Sequence, residues 1–169
     1  MIILDTSVIY ALLDAADSRH RQALRWYDAL NEELVTTPLV LAEADHLATT
    51  RGGPRAVQAF RADVSAGAYL VEWWPTAARE AAELADRYAD LGIGLTDASL
   101  VVLAARVGSA DVATFDERHF RAVRPLGVAD AFRLLPLDAR RPLILRRRAR
   151  QRHPGRFAPA STVVAELEP

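Results

Sequence analysis

The sequence predicts an α/β protein with three layers, α/β/α, around a central, mainly parallel sheet. Short apolar runs alternate with segments of helical period from residue 2 to residue 115. Alternation of that kind builds units in which parallel strands lie between helices on both faces. Two of the runs lead directly into an acid, Asp5 after Ile2-Ile3-Leu4 and Asp116 after Val112-Ala113-Thr114-Phe115. The carboxyl edge of a parallel sheet is where such folds place ligands. With 169 residues, 51% of them hydrophobic, the chain is long enough to bury one core without disulfides or structural metals.

Taken in order, Met1 to Leu4 reads as the first strand, with Thr6 and Ser7 as caps for a helix from Val8 to Asp14. A second helix, Arg19 to Leu30, precedes a strand at Leu34 to Thr37, and Pro38 suits the first turn of a helix running to about Thr50. Arg51-Gly52-Gly53 is expected to break it. Pro54 to Ala66 reads as helix and Tyr69 to Trp74 as extended chain, while Ala78, Ala81, Ala82, Ala85 and Tyr88 give Thr76 to Ala89 helical spacing. Thr96 is expected to cap a helix from Asp97 to Val107, Gly108 to close it, and Ala110 to Phe115 to be the strand that presents Asp116.

Residues 1–137 form the expected domain, and 138–169 an Arg-rich C-terminal extension. Eight of the 21 basic residues fall in 140–169, opposed there only by Glu166 and Glu168, so the formal charge of -1 conceals an acidic body and a basic tail. The simplest reading of the tail is a disordered, solvated segment. Its clustered Arg would also suit RNA phosphates, and a third reading has one Arg folding over an acidic pocket.

Composition excludes several chemistries. There is no Cys, which removes thiolate zinc sites, thiol nucleophiles and disulfides. Every basic residue is Arg, which removes a catalytic Lys of the phosphatase, Schiff-base or P-loop kinds. No uncharged run exceeds nine residues, well short of the roughly 18 a membrane helix needs. Asp5 interrupts the N-terminal apolar stretch and no basic leader precedes it, so the expected compartment is the cytoplasm.

Most of the 22 acids read as solvated charges on helix faces, among them Asp28, Asp45, Glu80, Glu83 and Asp86. Four do not. Asp5 and Asp116 end strands. Glu43 has Leu39 and Val40 before it and Leu47 after it at helical spacing, which puts its carboxylate on an apolar stripe where it needs a cation or a proton. Asp97 shares a face with Leu100 and Val101 in the first turn of its helix, where the dipole favours negative charge. Each has an ordinary alternative as a cap or turn residue. Their order along the chain would bring all four to one rim of the sheet.

Carboxylates held that close repel, and such a cluster binds a cation or keeps a proton. Oxygen donors favour Mg²⁺, with Mn²⁺ the alternative, over zinc. On a phosphodiester, one ion, or two roughly 4 Å apart, would neutralise transition-state charge and activate water. Neither Lys, Cys nor His is required.

Four pieces of the chain resemble the PIN-domain nucleases, and within them the VapC-type toxins of bacterial toxin–antitoxin pairs. They are Ile2-Ile3-Leu4-Asp5-Thr6-Ser7, the helical Glu43 after Thr37-Pro38, Gly94-Leu95-Thr96-Asp97-Ala98, and Thr114-Phe115-Asp116-Glu117-Arg118-His119-Phe120. The likeness covers about residues 1–136. It implies a PIN-like α/β/α fold and a Mg²⁺-dependent endoribonuclease acting on RNA. Asp5 and Asp97 would be the principal metal ligands, with Glu43 and Asp116 completing the pocket directly or through water. It also implies a homodimer and a cognate antitoxin protein. Thr6 and Thr114 would orient the carboxylates beside them. The tail lies beyond what the resemblance covers.

The remaining candidates have bland readings. His119 is expected to pack or hydrogen-bond, His46 to be structural despite the Glu43-x-x-His46 spacing of a di-iron half-site, and His20 and His153 to lie on the surface. Trp73, Trp74 and Tyr69 fit a core strand better than a base-stacking platform. Arg118, Arg121 and Arg124 read equally well as a phosphate-positioning edge or a solvated face. The competing functions are a non-catalytic RNA-binding scaffold of the same fold and a nuclease of housekeeping RNA or DNA processing. A phosphatase of the haloacid-dehalogenase kind would want a second Asp where Ser7 stands, and a Lys.

Overall fold

The computed structural model describes residues 1–127 and 129–139, so the readings placed on the Arg-rich segment 140–169 lie outside the described residues. Five short strands, β1 (Ile2–Leu4), β2 (Leu34–Thr36), β3 (Leu70–Val71), β4 (Asp111–Ala113) and β5 (Arg133–Leu135), form one sheet in the order β3-β2-β1-β4-β5. Every pairing is parallel, with Ile3 opposite both Val35 and Val112. The central strands β1 and β2 are buried throughout, because helices cover both faces and leave no solvated side to alternate with.

The helices are α1 (Thr6–Leu13), α2 (His20–Ala29), α3 (Pro38–Leu47), α4 (Gly53–Ser65), α5 (Ala77–Arg87), α6 (Leu95–Val107) and α7 (Glu117–Ala122). α5 packs along α6, α1 packs against α2 and α3, and α3 also touches α6. α6 is buried on all sides from Ala98 to Ala104, the mark of a helix inside the molecule rather than on its surface. Buried hydroxyls pin this frame: Thr36 donates to the Leu4 carbonyl at 2.8 Å, and Thr37 meets Ser99 at 2.8 Å between α3 and α6.

Several boundaries differ from expectation for identifiable reasons. Asp5, not Thr6 or Ser7, caps α1, because its own side chain accepts the Thr6 and Ser7 amides. Arg51-Gly52-Gly53 does not stop the helix; residues Ala48–Gly52 widen into a π turn that leads into α4, with Gly53 at φ 77° absorbing the change. α6 begins two residues earlier than Thr96 suggested, at Leu95 after Gly94. Only Leu70–Val71 of the run Tyr69 to Trp74 pairs as strand, and β4 is shorter than Ala110 to Phe115. α7 and β5 carried no sequence expectation, since six- and three-residue elements are too short to show a period.

Among the described residues no helix is long and apolar enough to cross a membrane.

Candidate active site

The chain leaves β1 toward β2 and β3 on one side and returns as β4 on the other, so the strand order reverses between β1 and β4. Ligand crevices in open parallel sheets form at that reversal, beyond the carboxyl ends of the strands. Asp5 follows β1 there, and Asp116 lies just beyond β4.

Asp5 is buried, and both of its oxygens are engaged. Oδ1 accepts the Thr6 amide at 2.7 Å. Oδ2 accepts the Ser7 hydroxyl at 2.6 Å, the Thr114 hydroxyl at 2.7 Å and the Ser7 amide at 3.4 Å. Each hydroxyl is used twice, because Ser7 Oγ accepts the Phe115 amide at 2.9 Å and Thr114 Oγ1 the Asp116 amide at 2.8 Å. Burial pushes the Asp5 carboxyl above its ordinary range, against the pull of these hydrogen bonds.

The other two aspartates also sit at helix starts. Asp116 caps α7 and accepts the His119 amide on Oδ1 at 3.2 Å. Asp97 lies in the first turn of α6 and accepts a backbone hydrogen bond from Gly94. Three helix N-termini therefore face the three aspartates, and their dipoles partly offset the mutual repulsion. The offset is incomplete: burial first, and then the charge of Asp5, raise the Asp97 carboxyl to about 6, with Asp116 adding to the rise and His119 opposing it.

Glu43 corrects an expectation. It is exposed rather than buried on an apolar stripe, because α3 turns Val40 and Ala44 inward and leaves Glu43 at the rim. It still belongs to the neighbourhood, since Oε2 accepts the Thr6 hydroxyl at 2.8 Å. Thr6 thus orients Glu43 by its side chain and Asp5 only by its amide, while Thr114, expected to orient the neighbouring Asp116, instead donates to the Asp5 carboxylate and meets Asp116 only by accepting its amide.

Among the described residues, the group whose possible ligand atoms all lie within 4.8 Å of one another is Asp97, Asp116 and His119. His119 Nδ1 stands 3.0 Å from Oδ2 of Asp97 and 3.0 Å from Oδ2 of Asp116. It is buried and makes no directed hydrogen bond to either. On sequence alone His119 has only a packing or hydrogen-bonding role, and Ser7 reads only as a helix cap. The signal for His119 was its position three residues after a capping Asp, which turns its side chain back toward the cap.

Other residues fall outside the cluster. His46 is exposed, whereas His20, expected on the surface, is buried with Nδ1 2.7 Å from the Ala11 carbonyl. Arg121 is held by Asp138 at 2.6 and 2.8 Å and is not free for phosphate, while Arg118 and Arg124 are exposed. Trp74 is buried and donates to Glu80 at 3.2 Å, leaving Trp73 half-exposed outside. Arg19, which the sequence did not single out, lies with its guanidinium 4.8 Å from the centre of the Phe115 ring, next to Asp116 in the chain.

A divalent cation fits these donors. Carboxylate oxygens predominate, as hard cations require, and the buried His119 nitrogen lacks the partner that a closed structural cluster would give it.

Comparison with known proteins agrees with this fold. The family profile described as PIN domain matches residues 2–126. Ribonuclease VapC26 of Mycobacterium tuberculosis is 38% identical over 127 residues, covering 75% of this chain and 94% of that protein. The crystal structure of Mycobacterium tuberculosis VapC20, described as a sarcin-ricin loop cleaving toxin, superposes with a TM-score of 0.65 at 27% identity, covering 69% of this chain and 91% of that one. From its parallel sheet, its acids at the strand reversal and these likenesses, the chain belongs to the PIN domain family and is of the VapC type.

Proposed function

We propose that this protein is a divalent-metal-dependent endoribonuclease and the toxin of a type II toxin–antitoxin pair, with residues 1–137 as its catalytic domain. The observation that carries the reading is the convergence of Asp97, Asp116 and His119 Nδ1 beside the buried Asp5. A cluster that raises the Asp97 carboxyl to about 6 is relieved by a proton or by a bound cation, and a cation is the reading supported by the carboxylate-rich donor set. PIN nucleases generally depend on divalent metals, and two relatives of this chain are described as a ribonuclease and a sarcin-ricin loop cleaving toxin.

Asp5 and Asp97 would be the principal ligands, with Asp116 and Glu43 completing the pocket directly or through water. When bound, Mg²⁺ or Mn²⁺ would supply charge neutralisation at the phosphodiester and a more acidic water. The chain's own contribution is positional. Ser7 and Thr114 fix the Asp5 carboxylate, the α6 and α7 N-termini hold Asp97 and Asp116, and Thr6 steers Glu43 toward the rim. A non-catalytic scaffold would have no use for four acids held in this way. A cognate antitoxin and a homodimer are the partners this reading adds, with the cytoplasm as the compartment.

The test is cleavage of a mixed RNA pool with added Mg²⁺ or Mn²⁺ by the wild type, Asp5→Asn and Asp97→Asn. Cleavage is expected from the wild type alone. Equal cleavage by all three proteins would overturn the assignment.

A further inference from the structure

We propose that His119 is itself a metal ligand, making the site a mixed nitrogen and oxygen set that prefers Mn²⁺, or another first-row transition ion, over Mg²⁺. The proposal rests on the reading of this pocket as a metal site and adds a ligand and an ion preference to it.

The geometry around Nδ1 carries the argument. It lies 3.0 Å from Asp97 Oδ2 and 3.0 Å from Asp116 Oδ2, is buried, and directs no hydrogen bond at either oxygen. If Nδ1 bears a hydrogen, it makes no well-formed hydrogen bond to either acceptor although both lie at 3.0 Å. If it bears a lone pair, the pair faces two carboxylate oxygens at contact distance, which is repulsive. What the three atoms call for is positive charge among them, which an imidazolium proton can supply and a bound cation supplies in its place.

The spacing agrees with that centre. Two adjacent ligand atoms of an octahedral ion with bonds of about 2.1 Å are separated by about 3 Å. Nδ1 stands at that separation from an oxygen of each aspartate. The placement is also imposed by the fold rather than by a mobile side chain. Asp116 caps α7 and holds the His119 amide, Phe120 next to it is buried in the core, and Asp97 is held by the Gly94 amide. Imidazole is a poor partner for Mg²⁺ and a good one for transition ions, so one nitrogen among oxygen donors biases the choice without excluding Mg²⁺.

Mn²⁺ is the direct probe because it is paramagnetic. The full chain loaded with Mn²⁺ is expected to show a directly bonded ¹⁴N in pulsed electron paramagnetic resonance, which becomes ¹⁵N when the protein is made with ¹⁵N-labelled histidine. His119→Gln should remove the coupling, and His46→Gln should leave it. Mn²⁺ affinity should fall about tenfold or more in His119→Gln, with Mg²⁺ affinity much less affected, so that the preference between the two ions narrows. Because the wild-type spectrum is informative alone, a poorly folding variant does not spoil the test. Mn²⁺ binding that Asp97→Asn abolishes but that shows no bonded nitrogen would overturn the His119 assignment and leave the metal site standing. Absence of any Mn²⁺ or Mg²⁺ binding, with RNA present, would overturn both.

Discussion

The Thr114 hydroxyl donates to Asp5 Oδ2 at 2.7 Å across 109 residues of chain, joining the carboxyl ends of β1 and β4 where the strand order reverses. The same oxygen accepts the Ser7 hydroxyl at 2.6 Å, so two short side chains hold one buried carboxylate. Thr114→Val keeps the shape and removes the donor. It also leaves the Asp116 amide without its acceptor. A loss of about 1–3 kcal/mol in urea denaturation is expected, together with weaker cleavage. Ser7→Ala should act similarly, and the double variant should depart from additivity because both donors share Oδ2. Wild-type stability in Thr114→Val would mean that the network does not fix Asp5.

Asp97 predicts a pH dependence of stability in the chelator-treated protein. Its carboxyl is raised from the usual 3.8 to about 6, first by burial and then by the neighbouring charge of Asp5. The folded state therefore keeps a proton that the unfolded chain has released. The stability this proton brings is full below about 3.8 and is lost as pH rises through about 6. Compared with wild type, Asp97→Asn should melt higher at pH 7.5 and show a flatter Tm profile between pH 4 and 7. Added Mn²⁺ or Mg²⁺ should raise the wild-type Tm at pH 7.5 and leave the variant's unchanged, since a ligand of the folded state stabilises it. Parallel profiles for the two proteins would show that Asp97 is not the titrating group.

Glu43 separates function from stability. It is exposed, and its carboxylate accepts the Thr6 hydroxyl at 2.8 Å. Glu43→Gln should change folding stability by no more than about 0.5 kcal/mol while lowering cleavage about tenfold or more. Thr6→Val should give a smaller loss, because the carboxylate remains but is no longer aimed. Full activity in Glu43→Gln would remove Glu43 from the pocket.

The sheet and the three aspartates were legible because long-range order here follows from local signals. Apolar runs ending in Asp5 and Asp116 mark strands that stop at one edge, and Asp97 follows a glycine pair at a helix start. Glu43 was less legible, because periodicity places a residue on a stripe only to within about one helical position, enough to bury in expectation a side chain that lies at the rim. His119 was illegible for a different reason. Its role depends on Asp97 and Asp116 meeting in space, and on α7, whose six residues give no periodic trace. Ser7 was hidden by its ordinariness, since a Ser after Asp-Thr reads as a helix cap until the carboxylate it serves proves to be the cap itself.

Arg19 predicts how RNA is held beside the acids. Its guanidinium lies 4.8 Å from the centre of the Phe115 ring, and Phe115 is fixed through its amide by Ser7 and followed in the chain by Asp116. The ring thus parks an exposed cation beside an acidic pocket that must receive a polyanion, and Arg on an aromatic face gives up less freedom than Lys when it meets phosphate. Arg19→Ala should raise KM for RNA, leave kcat nearly unchanged, and lower the salt dependence of RNA binding by roughly one phosphate contact. Arg19→Lys keeps the charge but not the planar stacking and should fall between the two, whereas Phe115→Leu should approach the effect of Arg19→Ala by freeing the guanidinium. A fall in kcat with KM unchanged would instead make Arg19 part of the transition-state machinery, and unchanged kinetics would reduce its ring contact to surface packing.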